Sequence, residues 1–362
     1  MKKAIHKLKQ GTGVFLALCC ALIIGAIIML AIGANPITGY TRLINGAFGS
    51  AFNFGSTLEK FVPLLLTGLA FMIGTRAGVF NMGVEGSLYL GALASSAVAI
   101  YLPKDLPGVI VIVLSMLAGS LVGGVWALIP ALLKVHLRVN EVCSTILLNY
   151  VAIYLTTFMV LEPMHGGASS PQTLPILPQA VLKRILPPSR ANIGIFIALL
   201  LLLAMWYFFH HTTTGYRINH TGDNPKFAET MGINPKKYIV IGMMLSGAVG
   251  GFAGSLEVLG IYGLFLSSFS NNIAFDGMLA ALIANGSFVS LPIISMFIAA
   301  LKVGALGMER FTSIPKSLID IIIALFILFA TMKRLFDFIS NRKSRMSGEK
   351  HVIPAKEEKN GI

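Results

Sequence analysis

Two short segments of this sequence place a carboxylate at the start of an apolar run. The segment NMGVEG contains Asn81 and Glu85, and the segment NNIAFDG contains Asn272 and Asp276. Both have the order amide, three residues, carboxylate and glycine, and they lie in different halves of the chain. Acidic side chains in apolar segments are costly, so they are functional candidates by default. Paired motifs in two halves are typical of inverted-repeat transporters, which bind solute near the membrane midplane.

A chance match is the alternative, because two similar six-residue segments arise easily in a sequence of such biased composition. Asn149 is a further candidate within another apolar run. A buried amide either bonds a neighbouring helix or contacts a polar solute, and the sequence leaves both open. Glu257 and Lys302 are interpreted as a structural ion pair without a site role. The candidate residues of a solute path are Asn81, Glu85, Asn149 and Asp276.

A second candidate site is the polar segment TGDNPKFAETMGINPKK, which lies between two long apolar runs. Its Asn-Pro pair favours a helix start, because asparagine caps a helix and proline suits the first helical position. Three apolar residues share one face of this predicted helix, and nothing in the sequence indicates what buries them. An exposed apolar face on a surface helix indicates a protein partner. The residues assigned to this site are Asn224, Pro225, Phe227, Ala228, Met231 and Gly232.

Composition predicts the elements that carry these residues. Apolar residues make up 55% of the 362 positions and charged residues only 12%, whereas soluble domains have about 25% charged residues. Several uncharged runs approach or exceed the roughly 18–20 residues that cross a bilayer as a helix. A β-barrel is excluded, because its strands would alternate in polarity and span about ten residues. The sequence therefore predicts an all-α, polytopic transmembrane helical bundle.

The uncharged runs predict about ten spans. The run at 277–301 is long enough for one tilted helix or two short ones, and Asn285, Gly286, Ser287 and Pro292 favour a break. A cleaved signal peptide is the alternative for the first span, although its apolar run exceeds the usual length of about 7–15 residues. The predicted spans are 13–33, 59–75, 83–102, 108–133, 143–161, 191–210, 237–260, 274–288, 290–308 and 316–332.

Charge distribution predicts the orientation. Most lysines and arginines lie near the two ends and in alternate loops, and the positive-inside bias places both termini in the cytoplasm. The net charge of +13 follows this placement and does not indicate nucleic acid. The predicted parts are a cytoplasmic N-terminus at 1–12, a transmembrane domain at 13–332 with an outer loop at 162–190 and a cytoplasmic loop at 211–236, and a cytoplasmic tail at 333–362.

Enzymatic motifs do not stand out in the sequence. It contains no G-x-x-x-x-G-K-[ST] phosphate loop, and no histidine, cysteine or acid spacing that suits a metal ion. We therefore predict no catalytic residue, no cofactor and no metal site for this chain.

Five strings resemble the successive signatures of permease subunits from bacterial ABC importers of the branched-chain amino acid and simple-sugar superfamily. They are RAGVFNMGVEG, NEVCSTILLNYVA, GDNPKFAETMGI, LSGAVGGFAG and FDGMLAALI. The first two most resemble the nucleoside-importer branch. The resemblance extends from about residue 40 to residue 332.

This resemblance implies an ABC importer permease fold in the bacterial cell membrane, with a mechanism of alternating access. It implies a separate ABC ATPase, a second, non-identical permease and an extracellular solute-binding protein as partners, besides membrane lipid. The 224–232 helix would be the coupling helix that docks in the ATPase. The implied cargo is a nucleoside, with a simple sugar or a branched-chain amino acid as alternatives. An ion-coupled secondary transporter using Glu85 or Asp276 is the rival, although it needs no exposed apolar helix.

Overall fold

The computed structural model is helical, and its described part contains no strand beyond two isolated bridges. This confirms the all-α prediction. The residues that the structure describes are 19–167, 169–312 and 317–325, so the predicted segments 1–12 and 333–362 lie outside them. Helices α1 to α12 are Cys19–Ala31, Pro36–Phe48, Ala51–Arg76, Val84–Tyr101, Gly108–Leu137, Glu141–Leu161, Gly194–His211, Thr213–Asp223, Pro225–Thr230, Pro235–Glu257, Ile273–Ala284 and Ser290–Phe311, and α13 is described over 317–325.

Contacts divide the chain into two units. In the described part of the chain the smaller unit consists of residues 19–36 and 317–325, with helices α1 and α13. The larger unit, 37–316, contains α3 to α12 and nearly all of α2. All candidate site residues belong to the larger unit.

Seven helices of the described part are long and apolar enough to cross a membrane, or eight if α1 and α2 make one span. They are α3 to α7, α10 with the turn that follows it, and α12. The predicted second span, 59–75, began too late, since α3 starts at Ala51. Ser50 caps this helix by accepting a hydrogen bond from the backbone N–H of Asn53 at 3.1 Å. The prediction missed this start because two charged residues interrupt the apolar run at 59–60.

The predicted break within 277–301 is confirmed, although α11 already ends at Ala284, before the predicted end at 288, and Pro292 lies inside α12. Asn285 and Gly286 have φ angles of 54° and 72°, which end α11, and α12 begins at Ser290. The predicted span 274–288 is nevertheless not a complete helical crossing. At 1.5 Å per residue the 12 residues of α11 extend about 18 Å, well below the roughly 30 Å of a bilayer core.

The chain before α11 is irregular and partly buried. After α10 it forms a π-helical turn at Val258–Tyr262, and residues 263–272 contain no α-helix. Backbone groups here pair with the loop between α6 and α7: Leu182 N–H donates to the Leu259 carbonyl at 2.9 Å. Asn192 Nδ2 likewise donates to the Gly260 carbonyl at 3.0 Å. Such pairing lets irregular backbone lie inside a membrane protein.

The core of the larger unit forms where α4, α5 and α10 meet at backbone distance. A Cβ atom added to Gly251 of α10 would lie 2.1 Å from the carbonyl oxygen of Gly119 in α5. One added to Gly91 of α4 would lie 2.3 Å from the Cα of Gly251. Small residues permit this close approach between membrane helices. Rigid packing of these three helices fixes the position of the first carboxylate motif at the start of α4.

Candidate functional site

The carboxylate of Glu85 lies at the start of α11. Its Oε2 accepts a hydrogen bond from the backbone N–H of Ala274 at 2.9 Å, and the residue is only 2% exposed. The first N–H groups of a helix have no partner within the helix, and a negative charge is favourable there. Glu85 therefore accepts a hydrogen bond from one of these unpaired N–H groups. The two similar motifs, NMGVEG and NNIAFDG, lie next to each other in the structure.

Asp276, in the first turn of α11, forms an ion pair with α12. Its Oδ2 lies 2.7 Å from Nζ of Lys302, and the two side chains are 19% and 31% exposed. The predicted ion pair between Glu257 and Lys302 is therefore wrong. Glu257 is buried, and its Oε2 has no hydrogen-bond partner in the described part of the chain. The error arose because α12 presents Lys302 to α11, which sequence spacing does not reveal.

Asn81 fixes the approach to α4. Its Oδ1 accepts from the backbone N–H of Gly83 at 2.9 Å, and its Nδ2 donates to Oγ of Ser246 in α10 at 2.9 Å. Ser246 in turn donates to the Ala70 carbonyl of α3 at 2.6 Å. The amide, which is buried, thus ties the start of α4 to α10 and, through Ser246, to α3.

Asn149 of α6 bonds the same end of α4. Its Nδ2 donates to the Met82 carbonyl at 2.8 Å, while its Oδ1 accepts from the Gly86 N–H at 2.8 Å. These bonds join α6 to the turn before α4 and to the first turn of α4, which is the first of the two roles that the sequence left open. Both ends of the amide are therefore engaged.

The short helix α9 has the predicted capping groups. Asn224 Oδ1 accepts from the backbone N–H of Phe227 at 3.1 Å, and Pro225 occupies the first helical position. At the other end Gly232 has a φ of 77°. The N–H of Ile233 bonds the Ala228 carbonyl and that of Gly232 bonds the Glu229 carbonyl, both at 3.0 Å. This pair of bonds is a Schellman motif, which ends the helix.

The apolar face of α9 is narrower than predicted. Phe227 and Met231 are 52% and 57% exposed, and they lie four positions apart on one face. Ala228, in contrast, is fully buried, so its assignment to the exposed face was wrong. A short helix that packs on α8 must bury one side, and its small alanine occupies that side. The exposed surface is the Phe227–Met231 pair.

Arg76, at the end of α3, connects this region with the end of α11. Its Nη1 donates to Asn219 Oδ1 of α8 at 3.2 Å, and its Nη2 donates to the Gly286 carbonyl at 2.8 Å. The guanidinium carbon also lies 5.4 Å from the ring centre of Phe209 and 4.6 Å from that of Phe288. Arg76 begins the RAGVFNMGVEG string, but the sequence could not predict these contacts, because their partners lie more than 130 positions away.

The chain matches a known protein family over most of its length. Residues 53–331 match the family described as the permease component of branched-chain amino acid transport systems. No solved structure matches.

Three relatives resemble the chain almost end to end. The guanosine ABC transporter permease protein NupP of Bacillus subtilis is 33% identical, over 90% of this chain and 94% of the relative. The nucleoside ABC transporter permease protein NupB of Lactococcus lactis is 33% identical, over 89% and 91%. The glucose ABC transporter permease protein TsgB13 of Haloferax volcanii is 32% identical, over 91% and 89%.

Proposed function

Since the chain belongs to the family of permease components of branched-chain amino acid transport systems, we propose that it is the permease subunit of an ATP-driven nucleoside importer. Its apolar helices make it a multi-pass protein of the cell membrane. The relatives named for guanosine and nucleosides support this cargo. The glucose relative, at nearly equal identity, makes a sugar the second candidate.

The observation that carries the coupling role is the exposed Phe227–Met231 pair on a helix capped at both ends. In this proposal the pair docks in a groove of a separate ABC ATPase. ATP binding can bias the permease only through contacts that differ between its two conformations. The contacts of Arg76 offer a route for this bias, because they join α8 to the turn between α11 and α12.

The four candidate path residues take two roles in this proposal. The Asp276–Lys302 pair is partly exposed and borders the solute path, where it can exchange its contact for one with a hydroxyl or a base edge. Asn81, Glu85 and Asn149 are buried and hold the starts of α4 and α11 in place. A short helix beginning inside a membrane protein is a common element of solute sites.

The remaining proposals concern orientation and partners. We place both termini and the 211–236 loop in the cytoplasm, with ten passes, of which the eighth runs through the irregular segment 263–272 and α11. Residues 13–332 would form the membrane domain and 162–190 its outer loop. Positive residues near the termini and in that cytoplasmic loop support the orientation.

The chain would form half of the path, with a second, non-identical permease and an extracellular solute-binding protein.

Uptake of labelled solute tests the proposal. The gene is deleted in a strain without other nucleoside importers, and entry of guanosine, adenosine, uridine and glucose is measured. We expect nucleoside entry to be lost and restored by the intact gene, with glucose entry unchanged. Unchanged nucleoside entry would refute the nucleoside proposal, and loss of glucose entry alone would support the sugar instead.

The energy source is tested in vesicles containing both permeases, the ATPase and the binding protein. Uptake should require ATP and continue after an uncoupler abolishes the proton gradient. Uptake that stops with the uncoupler while ATP remains would favour a secondary transporter.

A further inference from the structure

A cavity of about 570 Å³ lies between α2, α3 and α12. Its size is within the roughly 300–1,000 Å³ of small-ligand pockets. Three basic side chains line it, one from each helix: Arg42, Lys60 and Arg310. Glu59 is the acidic side chain of the lining. None of the three basic groups has a carboxylate within 4.0 Å in the described part of the chain.

Helix α2 lines the cavity with Arg42 and Asn45 and has an exposed apolar side elsewhere on its surface. Its residues Ile37, Ile44 and Phe48 lie along one side and are at least half exposed. Its opposite side packs on α12, where a Cβ added to Gly46 would lie 2.8 Å from the Cα of Gly307. A short helix with one exposed apolar side and one polar side is suited to the membrane interface, with the apolar side among acyl chains.

The cavity wall also contains aromatic rings. Phe52 and Phe311 line it and are 46% and 69% exposed, and the guanidinium carbon of Arg42 lies 5.2 Å from the ring centre of Phe311. This contact holds the guanidinium over an apolar surface and leaves its N–H groups able to bind an anion. A neutral solute would leave the excess positive charge of the cavity unbalanced.

We propose that this cavity binds the phosphate headgroup of an anionic membrane phospholipid. The arginines would bind the phosphate oxygens, since guanidinium matches their geometry, and Lys60 would add a third positive charge. The acyl chains would lie along the exposed rings of Phe52 and Phe311 at the cavity wall. The proposal does not depend on which solute is transported.

The test uses the purified full-length chain in mild detergent. Short-chain phosphatidylglycerol, phosphatidylcholine or inorganic phosphate is added, and bound lipid is counted by native mass spectrometry. We expect phosphatidylglycerol to bind, phosphatidylcholine to bind much more weakly, and the double substitution Arg42→Gln with Arg310→Gln to reduce phosphatidylglycerol affinity by about tenfold or more. The matched control, Lys104→Gln with Lys183→Gln, removes two exposed charges outside the cavity and should retain wild-type binding.

Two further arms keep the outcome decisive. Leu306→Trp fills the cavity without changing its charge and should also reduce phosphatidylglycerol binding. This variant tests the site even if the double arginine variant does not fold. Equal binding by the arginine and control variants, or by the Leu306→Trp protein, overturns the proposal. Inorganic phosphate is added at the same molar concentration as phosphatidylglycerol. If it displaces the lipid at that concentration, the assignment to a lipid is overturned.

Discussion

Glu85 accepts a hydrogen bond from the backbone N–H of Ala274, 189 positions further along the chain. The bond joins the start of α4 to the start of α11, so that the carboxylate of one motif stabilises the helix that carries the other. A charge near the positive end of a helix dipole contributes about 0.3–1 kcal/mol, and up to about 2 kcal/mol when partly buried. The two halves of the larger unit are thereby joined at the candidate path.

We predict that Glu85→Gln lowers stability more than it alters solute preference. Glutamine keeps an oxygen for the Ala274 N–H but loses the charge at the end of α11, so we expect a loss of about 1–2 kcal/mol. Thermal unfolding of the purified chain measures this. Glu309→Gln, at an exposed acid of α12, is the control and should be nearly neutral. A changed preference among nucleosides at unchanged stability would instead place Glu85 on the path.

Asp276 and Lys302 allow a double-mutant cycle. Either Asp276→Asn or Lys302→Gln leaves the other charge without this partner, and we expect each to cost about 1–3 kcal/mol, between the values for exposed and buried pairs. The double substitution should recover much of that stability while nucleoside uptake remains slower or changed in preference. Wild-type uptake by the stable double variant would show that the pair is structural only.

Local signals in the sequence predicted some features of this fold reliably. The break at 285–287 and the capped helix at 224–232 depend on residues next to each other, and both appear in the structure. The partners of Glu85 and Lys302 could not be predicted, because they lie on helices far away in the sequence. Periodicity alone also could not show that Ala228 is buried, since a helical face does not reveal which of its residues a neighbour covers.

Arg76 provides a prediction about coupling. Arg76→Lys keeps the charge but loses the planar group that lies by two phenyl rings and bonds both Asn219 and Gly286. We expect the ATPase to remain bound while uptake per ATP hydrolysed falls by roughly 2–30-fold, corresponding to about 0.5–2 kcal/mol of coupling. Lys236→Gln, at an exposed position, is the control. An unchanged ratio of uptake to hydrolysis would exclude Arg76 from the coupling route.

Two adjacent glycines of α5 test the backbone packing. A Cβ at Gly123 would lie 2.5 Å from the Gly247 carbonyl oxygen, whereas one at Gly124 would lie 3.2 Å from the Met244 carbonyl oxygen. We therefore expect Gly123→Ala to cost about 1–3 kcal/mol. Gly124→Ala should be close to neutral, because alanine favours the helix by about 1 kcal/mol and its methyl group needs only a small shift. Comparable thermal unfolding of the two variants would contradict this account of the contact.

The exposed pair on α9 gives the most direct prediction about the partner. Phe227→Asp replaces a half-exposed ring with a charge that would be buried without a partner in the ATPase groove. We expect binding to weaken by about 2–4 kcal/mol, the range of an interface hot spot, so that co-purification of the ATPase and nucleoside uptake both fall. The permease should still insert, because Phe227 contributes little to its own core. Lys226→Asp adds an acid on the same helix outside the Phe227–Met231 pair and should retain the ATPase. If the Phe227→Asp protein binds the ATPase and transports as well as this control, α9 is not the coupling helix.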